Sequence, residues 1–370
     1  MTGRLKRERR AERLTRGQML FCLMSIFAMV MTFALSEVAI EAMEEGMRLC
    51  VSTVIPSLFP FMVFSELLVD SGAAKILGRC LGGGAARLFG ISREGAVAVI
   101  MGFLCGFPIG SRSALSLYER GRISRGETEH ILSFCNTPSS AFLISAVGVS
   151  LFGSQRLGVA LYASCILSSV TVGVLGRGFF RASKRKNEFC LSASDITLES
   201  EGFIASLTRA VKDASGSILG VCAFVIFFSA LVGYLRFFAD GMGLSKEFTA
   251  LLFGFFEMTG GVGEAASLSP GVAIACAAAI TGWSGISVAF QFVGVCREQR
   301  FSLKPYFVSK LACAALNTLF TCSLVRIFDI DVSVGEGSVY SFLLLPSSPY
   351  AMASLVAFAV GALCYVRRAR

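Results

Sequence analysis

The 370-residue chain is short of charge, histidine, tryptophan and proline. Asp, Glu, Lys and Arg make up 16% of it, where a soluble domain carries about 25%. With 54% of its residues hydrophobic and a mean hydropathy of +0.70, it lacks the polar residues needed to cover a soluble globule, and disorder is excluded on the same ground. One histidine, His130, excludes a His-rich metal site. None of the 13 cysteines forms a CxxC pair, and Cys22, Cys105, Cys165, Cys222 and Cys313 lie in apolar runs. That pattern fits small buried hydrophobes rather than a disulfide framework. The chain has no G-x-S-x-G, Walker A, G-x-G-x-x-G or H-E-x-x-H motif, so no catalytic residue, metal or cofactor is expected and the chain is not read as an enzyme. An all-α polytopic membrane protein remains.

Charge sets the orientation. Arg4, Lys6, Arg7, Arg9, Arg10, Arg13 and Arg16 crowd the N-terminus, and Arg367, Arg368 and Arg370 end the chain. No foldable soluble domain carries these basic residues, so nucleic acid is not an expected partner. The positive-inside rule puts both termini in the cytoplasm of a multi-pass protein of the cell membrane. Span one runs from Gln18 to Ser36, longer than a signal-peptide core and without an A-x-A site. Glu37, Glu41, Glu44 and Glu45 then form an acidic segment outside. A span from Met47 to Val69, interrupted by Pro56 and Pro60, returns the chain to Lys75, Arg79, Arg87 and Arg93. The stretch Ala73 to Gly90 reads as amphipathic helix lying on the inner leaflet.

The next apolar stretch, Gly95 to Tyr118, leads to another basic loop with Arg120, Arg122 and Arg125, so a full crossing would break the charge rule. Its centre is GFPIGS, Gly106 to Ser111, where two glycines and a proline break a helix. Arms of about ten residues cannot cross about 30 Å of hydrocarbon. A re-entrant hairpin that enters and leaves on the cytoplasmic side satisfies both constraints, with its backbone covered by protein or a wet cavity. Ser124 and Glu127 read as a capping box for a short helix. A span from Ser133 to Phe152, broken at NTPSS (Asn136 to Ser140), goes outward, and Leu157 to Phe180 returns.

The second half repeats this order. Ser215 to Phe238 crosses outward, and Phe248 to Ser269 contains EMTGGVGE (Glu257 to Glu264) and forms a second hairpin, entered from outside. Gly271 to Val295, broken at TGWSG (Thr281 to Gly285), Tyr306 to Phe328 and Ser348 to Val366 complete the path. The expected fold is therefore two inverted-topology repeats with about eight transmembrane helices and two re-entrant hairpins. Its segments are a basic tail (1–17), a first repeat with a leading span (18–180), a polar cytoplasmic linker (181–203), a second repeat with a trailing span (204–366) and a basic tail (367–370). The hairpins align at a single offset of 153, which pairs Ser92, Phe103, Gly110 and Leu115 with Ser245, Phe256, Gly263 and Leu268.

Paired Gly/Pro-broken segments in two oppositely oriented halves point to a binding site near the membrane midplane. Hairpin tips and helix breaks expose backbone N–H and C=O groups, and half-helix N-termini attract polar or anionic groups. The candidate substrate-binding residues are Gly106, Pro108, Gly110, Arg112, Asn136, Thr137 and Ser139 in the first half, and Glu257, Thr259, Gly261, Thr281, Ser284 and Gln291 in the second. Arg112 and Glu257 lead this set, because a charge costs about 2.5–3.5 kcal/mol at the centre of an isolated membrane helix. Trp283 is read as packing, and Tyr118 and Tyr306 as interface anchors.

Four stretches, VIPSLFPFMVFSELL (Val54 to Leu68), Gly102 to Phe142, GFFEMTGGV (Gly254 to Val262) and ITGWSGISVAFQ (Ile280 to Gln291), together resemble the YlbJ-type sporulation integral membrane proteins. Those proteins carry the Gate, or nucleoside-recognition, domain. The resemblance covers roughly residues 20 to 330. Arg112 departs from it, since Lys is expected there and the two differ in hydrogen-bond geometry. The resemblance implies a cytoplasmic-membrane protein of an endospore-forming bacterium, needed for spore cortex formation, and relates the chain to concentrative nucleoside transporters. The domain label does not name a substrate. A transporter-like permease for a small polar solute is the first functional reading. A non-transporting assembly or scaffold factor of the cortex machinery is the alternative, and an intramembrane enzyme has the least support. The expected partners are the lipid bilayer and a small polar solute, and the sequence leaves a homo-oligomer open.

Overall fold

The computed structural model describes residues 16–70, 82–181, 202–296, 299 and 301–330. The basic tails, most of the polar linker and the expected last span, Ser348 to Val366, lie outside them. The described residues are helical, with no strand among them. Four of their helical segments are long and apolar enough to cross a membrane, and six if two sharply bent pairs count as one span each.

Helix α1 (Arg16–Ala34) exposes an almost wholly apolar surface, including Leu23, Phe27 and Phe33, as suits a helix facing lipid. The acidic segment after it is not a loop. It is α2 (Ser36–Leu49), set at 94° to α1. Its glutamates fall at helical spacing on the exposed face, while Ala39 and Gly46 are buried. A π-helical turn, Cys50–Val54, joins it to α3 (Ile55–Asp70). The wide turn precedes Pro56, whose missing N–H could not have closed an α-helical bond.

Helix α4 (Gly82–Phe89) lies at 97° to α5 (Arg93–Cys105), and α6 (Ile109–Glu119) folds back along α5. Then come α7 (Arg125–Phe134), a π-helix (Phe142–Leu151) and α8 (Gln155–Arg181). The second half holds α9 (Phe203–Met242), α10 (Lys246–Phe256), α11 (Met258–Ala265), α12 (Pro270–Trp283), α13 (Gly285–Val295) and α14 (Lys304–Ile327). The 40 residues of α9 extend about 60 Å at 1.5 Å per residue, about twice the hydrocarbon thickness. Helices α2 and α3 pack along α9, and the π-turn between them puts Cys50 and Val54 in one buried cluster with Ala214 and Cys222.

Both hairpins start alike. Ser92 and Ser245 cap α5 and α10, each hydroxyl accepting the N–H three residues on (Gly95, 2.9 Å; Phe248, 3.3 Å). Both cross at paired glycines. A Cβ on Gly110 would lie 2.5 Å from the Cα of Gly102, and one on Gly261 would overlap the Cα of Gly254. The offset of 153 therefore holds at the caps but not at the crossing. Helix α10 has 11 residues against 13 in α5, so Gly261 rather than Gly263 answers to Gly110.

The ends of the first hairpin meet the α13–α14 connection. Gln299 Nε2 donates to Glu119 Oε1, and Ser302 N–H donates to Glu129 Oε1 at 3.2 Å. The Phe301 ring lies 5.2 Å from Tyr118 and 5.4 Å from the Arg125 guanidinium. Residues 118–129 and Gln299, Phe301 and Ser302 thus lie side by side. Just past the other end of α14, Ile330 packs against the buried cluster that includes Phe152 and Leu268. Arg236, near the end of α9, pairs with Glu264 at 2.9 Å, so the second hairpin begins and ends beside the end of α9.

Two local expectations are corrected. Ser124 Oγ does accept the Glu127 N–H (3.3 Å), but Glu127 Oε1 reaches away from Ser124 to the N–H and hydroxyl of Ser92, both at 2.6 Å. The acid thereby joins the starts of α5 and α7 instead of closing a capping box. Tyr306 is not an interface anchor. It is buried, with its ring stacked on Phe292 at 4.2 Å. His130 is buried, its Nε2 2.9 Å from the carbonyl of Gly173. Eight of the described cysteines are buried, as small hydrophobes in the packing.

Candidate functional site

Each hairpin tip rests on the helix break of its own half. Helix α5 ends at Gly106, which has φ +74°, and α6 begins after a cis Phe107–Pro108 bond. The Phe107 N–H donates to the carbonyl of Thr137 (2.9 Å), and Thr137 Oγ1 donates to that of Gly102 (3.3 Å). A side chain on Gly106 would strike the backbone of Ser139 at 2.7 Å. Ser139 Oγ accepts the Phe142 N–H (3.2 Å) and so caps the π-helix. In the second half the tip is Glu257. Its carboxylate accepts the N–H groups of Thr259 (3.0 Å) and Gly260 (2.6 Å) and caps α11. Gly285, at φ +82°, gives this tip room; a Cβ there would lie 3.0 Å from the Met258 nitrogen. Trp283 stacks on Phe255 at 5.3 Å and donates to its carbonyl (3.0 Å), as expected of a packing residue.

The two breaks meet on Lys310 of α14. Its ammonium donates to the carbonyl oxygen of Asn136 and to Ser284 Oγ (2.9 Å). Around it runs a buried polar chain. Ser111 Oγ donates to Asn136 Oδ1, and Asn136 Nδ2 donates to the Leu132 carbonyl at 2.8 Å. Ser284 Oγ donates to the Thr281 carbonyl at 3.2 Å. Asn317 Nδ2 donates to Thr281 Oγ1 (3.2 Å) and to the Ala278 carbonyl (2.8 Å). Lys310 is 5% exposed, and Asn136, Ser111, Thr281 and Asn317 are at most 1% exposed. Among the described residues no carboxylate pairs with Lys310. Two hydrogen bonds to an ammonium contribute about 1.5–3 kcal/mol each, enough to offset the insertion cost of about 2.5–3.5 kcal/mol. Asn136 O is the end of the broken span after α7, where the helix dipole is negative. Among the described residues, Asn317 Oδ1, Thr321 Oγ1 and Ser164 Oγ are buried without a hydrogen-bond partner, and buried polar atoms of this kind are commonly satisfied by water.

Asn136, Thr281 and Ser284 of the expected set thus come together. Gly106, Pro108, Gly110, Thr137 and Ser139 build the first tip, and Glu257, Thr259 and Gly261 the second. Gln291 bonds within α13 to Ser287 (3.4 Å). Arg112 does not enter the polar chain, and its side chain is exposed. Lys310, Asn317 and Ser111 were not among the expected residues. Lys310 and Asn317 stand seven residues apart, hence on one helix face, in a span whose other residues from Tyr306 to Val325 are uncharged. That spacing marks them once the span is read for its polar residues and not for length alone.

Residues 51–173 match the Gate family, described as nucleoside recognition. They run from the π-turn before α3, through the first hairpin and break, into α8. Over 306 residues, 74% of each chain, the protein is 28% identical to the sporulation integral membrane protein YlbJ of Bacillus subtilis (strain 168). The chain thus resembles the YlbJ-type sporulation membrane proteins over most of its length. No solved structure matches it.

Proposed function

We propose that the protein is a permease of the cytoplasmic membrane that moves a small polar solute during sporulation and is needed for spore cortex formation. The observation that carries this reading is the meeting of two helix breaks, from separate halves of the chain, on one buried polar chain through Asn136, Lys310 and Ser284. Two inverted repeats of hairpin, broken span and long span account for it: α5 to α8 answer to α10 to α14. The contact of residues 118–129 with Gln299, Phe301 and Ser302 supports hairpins entered from opposite sides. Read by the positive-inside rule, the path has eight spans and both termini in the cytoplasm. The sporulation context comes from the relative, and the transporter-like character from the Gate match.

The test is spore heat resistance in a host that lacks its own copy and carries Asn136→Ala or Ser284→Ala, at matched membrane levels. The permease reading expects loss of heat-resistant spores with both. Normal spores from both, with loss on substituting the exposed residues Arg120 and Arg125, would favour the assembly-factor alternative.

A further inference from the structure

Lys310 is a cation with no carboxylate partner among the described residues, held where the two halves touch. Its two acceptors belong to different halves, the carbonyl of Asn136 and the hydroxyl of Ser284. Among the described residues, the titratable groups around it are the thiols of Cys135 just after α7, Cys165 on α8 and Cys313 on α14, and the phenol of Tyr306, whose ring centroid lies 6.0 Å from Nζ. Helix α12, also packed against α14, brings Thr281 and the backbone near Ser284 but no charged side chain. Ser284 itself sits in the left-handed region at φ +73°, a conformation non-glycine residues adopt at a cost and only where surrounding contacts hold them. The Lys310 ammonium supplies one such contact. Hydrogen bonds from an ionised donor are roughly twice as strong as neutral ones, so removing the charge weakens both bonds at once. Lysine, unlike arginine, can give up its proton inside a protein.

From this geometry we propose that Lys310 is the proton-carrying group of the site and that the coupled ion is a proton. With Nζ as the ammonium, the Asn136 and Ser284 breaks are fastened together. When one N–H bond breaks, its electron pair stays on Nζ and the proton passes to water. The neutral amine then holds the two breaks less tightly, and the halves can part. The inference rests on the permease reading and adds the ion.

The chain contains its own probe. Trp283 is the only tryptophan and precedes Ser284. Its emission is to be followed in the purified full chain in lipid nanodiscs from about pH 5 to about pH 11, a range that takes in documented buried lysines and free ones. The wild type is expected to show a one-proton transition, unchanged when sodium is replaced by choline. Lys310→Arg keeps the charge but cannot lose it, so it should show no transition. Lys310→Met should stay at the high-pH emission throughout. A wild-type transition that persists in Lys310→Arg, or a flat wild-type titration, would overturn the proposal, and since Lys310→Arg and the wild type decide it, a Lys310→Met chain that fails to fold leaves the test intact. Normal spores from Asn136→Ala and Ser284→Ala beside an intact wild-type transition would instead overturn the permease reading and leave the proton site standing.

Discussion

The glycine crossings yield a prediction that separates two registers of the second hairpin. A Cβ on Gly261 overlaps the Cα and nitrogen of Gly254 and lies 3.1 Å from the carbonyl carbon of Phe253, all backbone atoms that cannot rotate away. Helices α10 and α11 would have to separate. Overpacking of this kind costs about 1–3 kcal/mol, and the tip it would disturb is the one Glu257 caps. Gly263, two residues on, meets nothing within 4 Å. Alanine there removes a glycine from a helix and should stabilise by up to about 1 kcal/mol. Gly261→Ala and Gly263→Ala should therefore differ by about 2 kcal/mol or more, with Gly261→Ala the less stable. Thermal unfolding of both variants, purified in the same detergent, measures the difference. Equal melting temperatures, or the reverse order, would refute the crossing and favour the sequence offset that pairs Gly110 with Gly263.

Glu257→Ala removes both caps on α11 and should cost about 2 kcal/mol, with Glu257→Gln losing less because one acceptor oxygen stays; melting temperatures rank the pair. Lys310→Met should shift the melting temperature little, since it removes the insertion cost of the charge together with the two hydrogen bonds that offset it. Single cysteines at Arg122 and Ser302, in a chain freed of its own reactive thiols, should both label from the cytoplasmic side only; labelling of either from outside would contradict the first hairpin. Glu127→Ala should loosen the joint between α5 and α7 by removing both bonds to Ser92, read as faster amide exchange at the start of α5.

The first hairpin is legible because it is over-determined. A basic loop on each side and the run GFPIG allow only one path. The second is legible in outline but not in register, because its tip is a glutamate and α10 is two residues shorter than α5. The acidic segment after α1 also carries its answer in plain view: Glu37, Glu41, Glu44 and Glu45 repeat at helical spacing, and charge alone does not distinguish an outer loop from an amphipathic helix. The breaks at Asn136 and Ser284 follow from the residues around them, but their meeting does not. It depends on α14 lying against α7, α8 and α12, a packing fact on which no local pattern reports. Arg112 shows the converse: a membrane charge next to a hairpin tip is conspicuous in sequence, yet helix phase puts it on the exposed side while Ser111 turns inward.

The central claim is that function depends on the junction at Lys310 and not on the bare presence of a folded membrane protein. The direct measurement is the yield of heat-resistant spores from a host carrying Lys310→Met, at a membrane level equal to wild type. The account predicts a well-folded protein at normal abundance and a collapse in heat-resistant spores. A wild-type spore yield from that strain would contradict it.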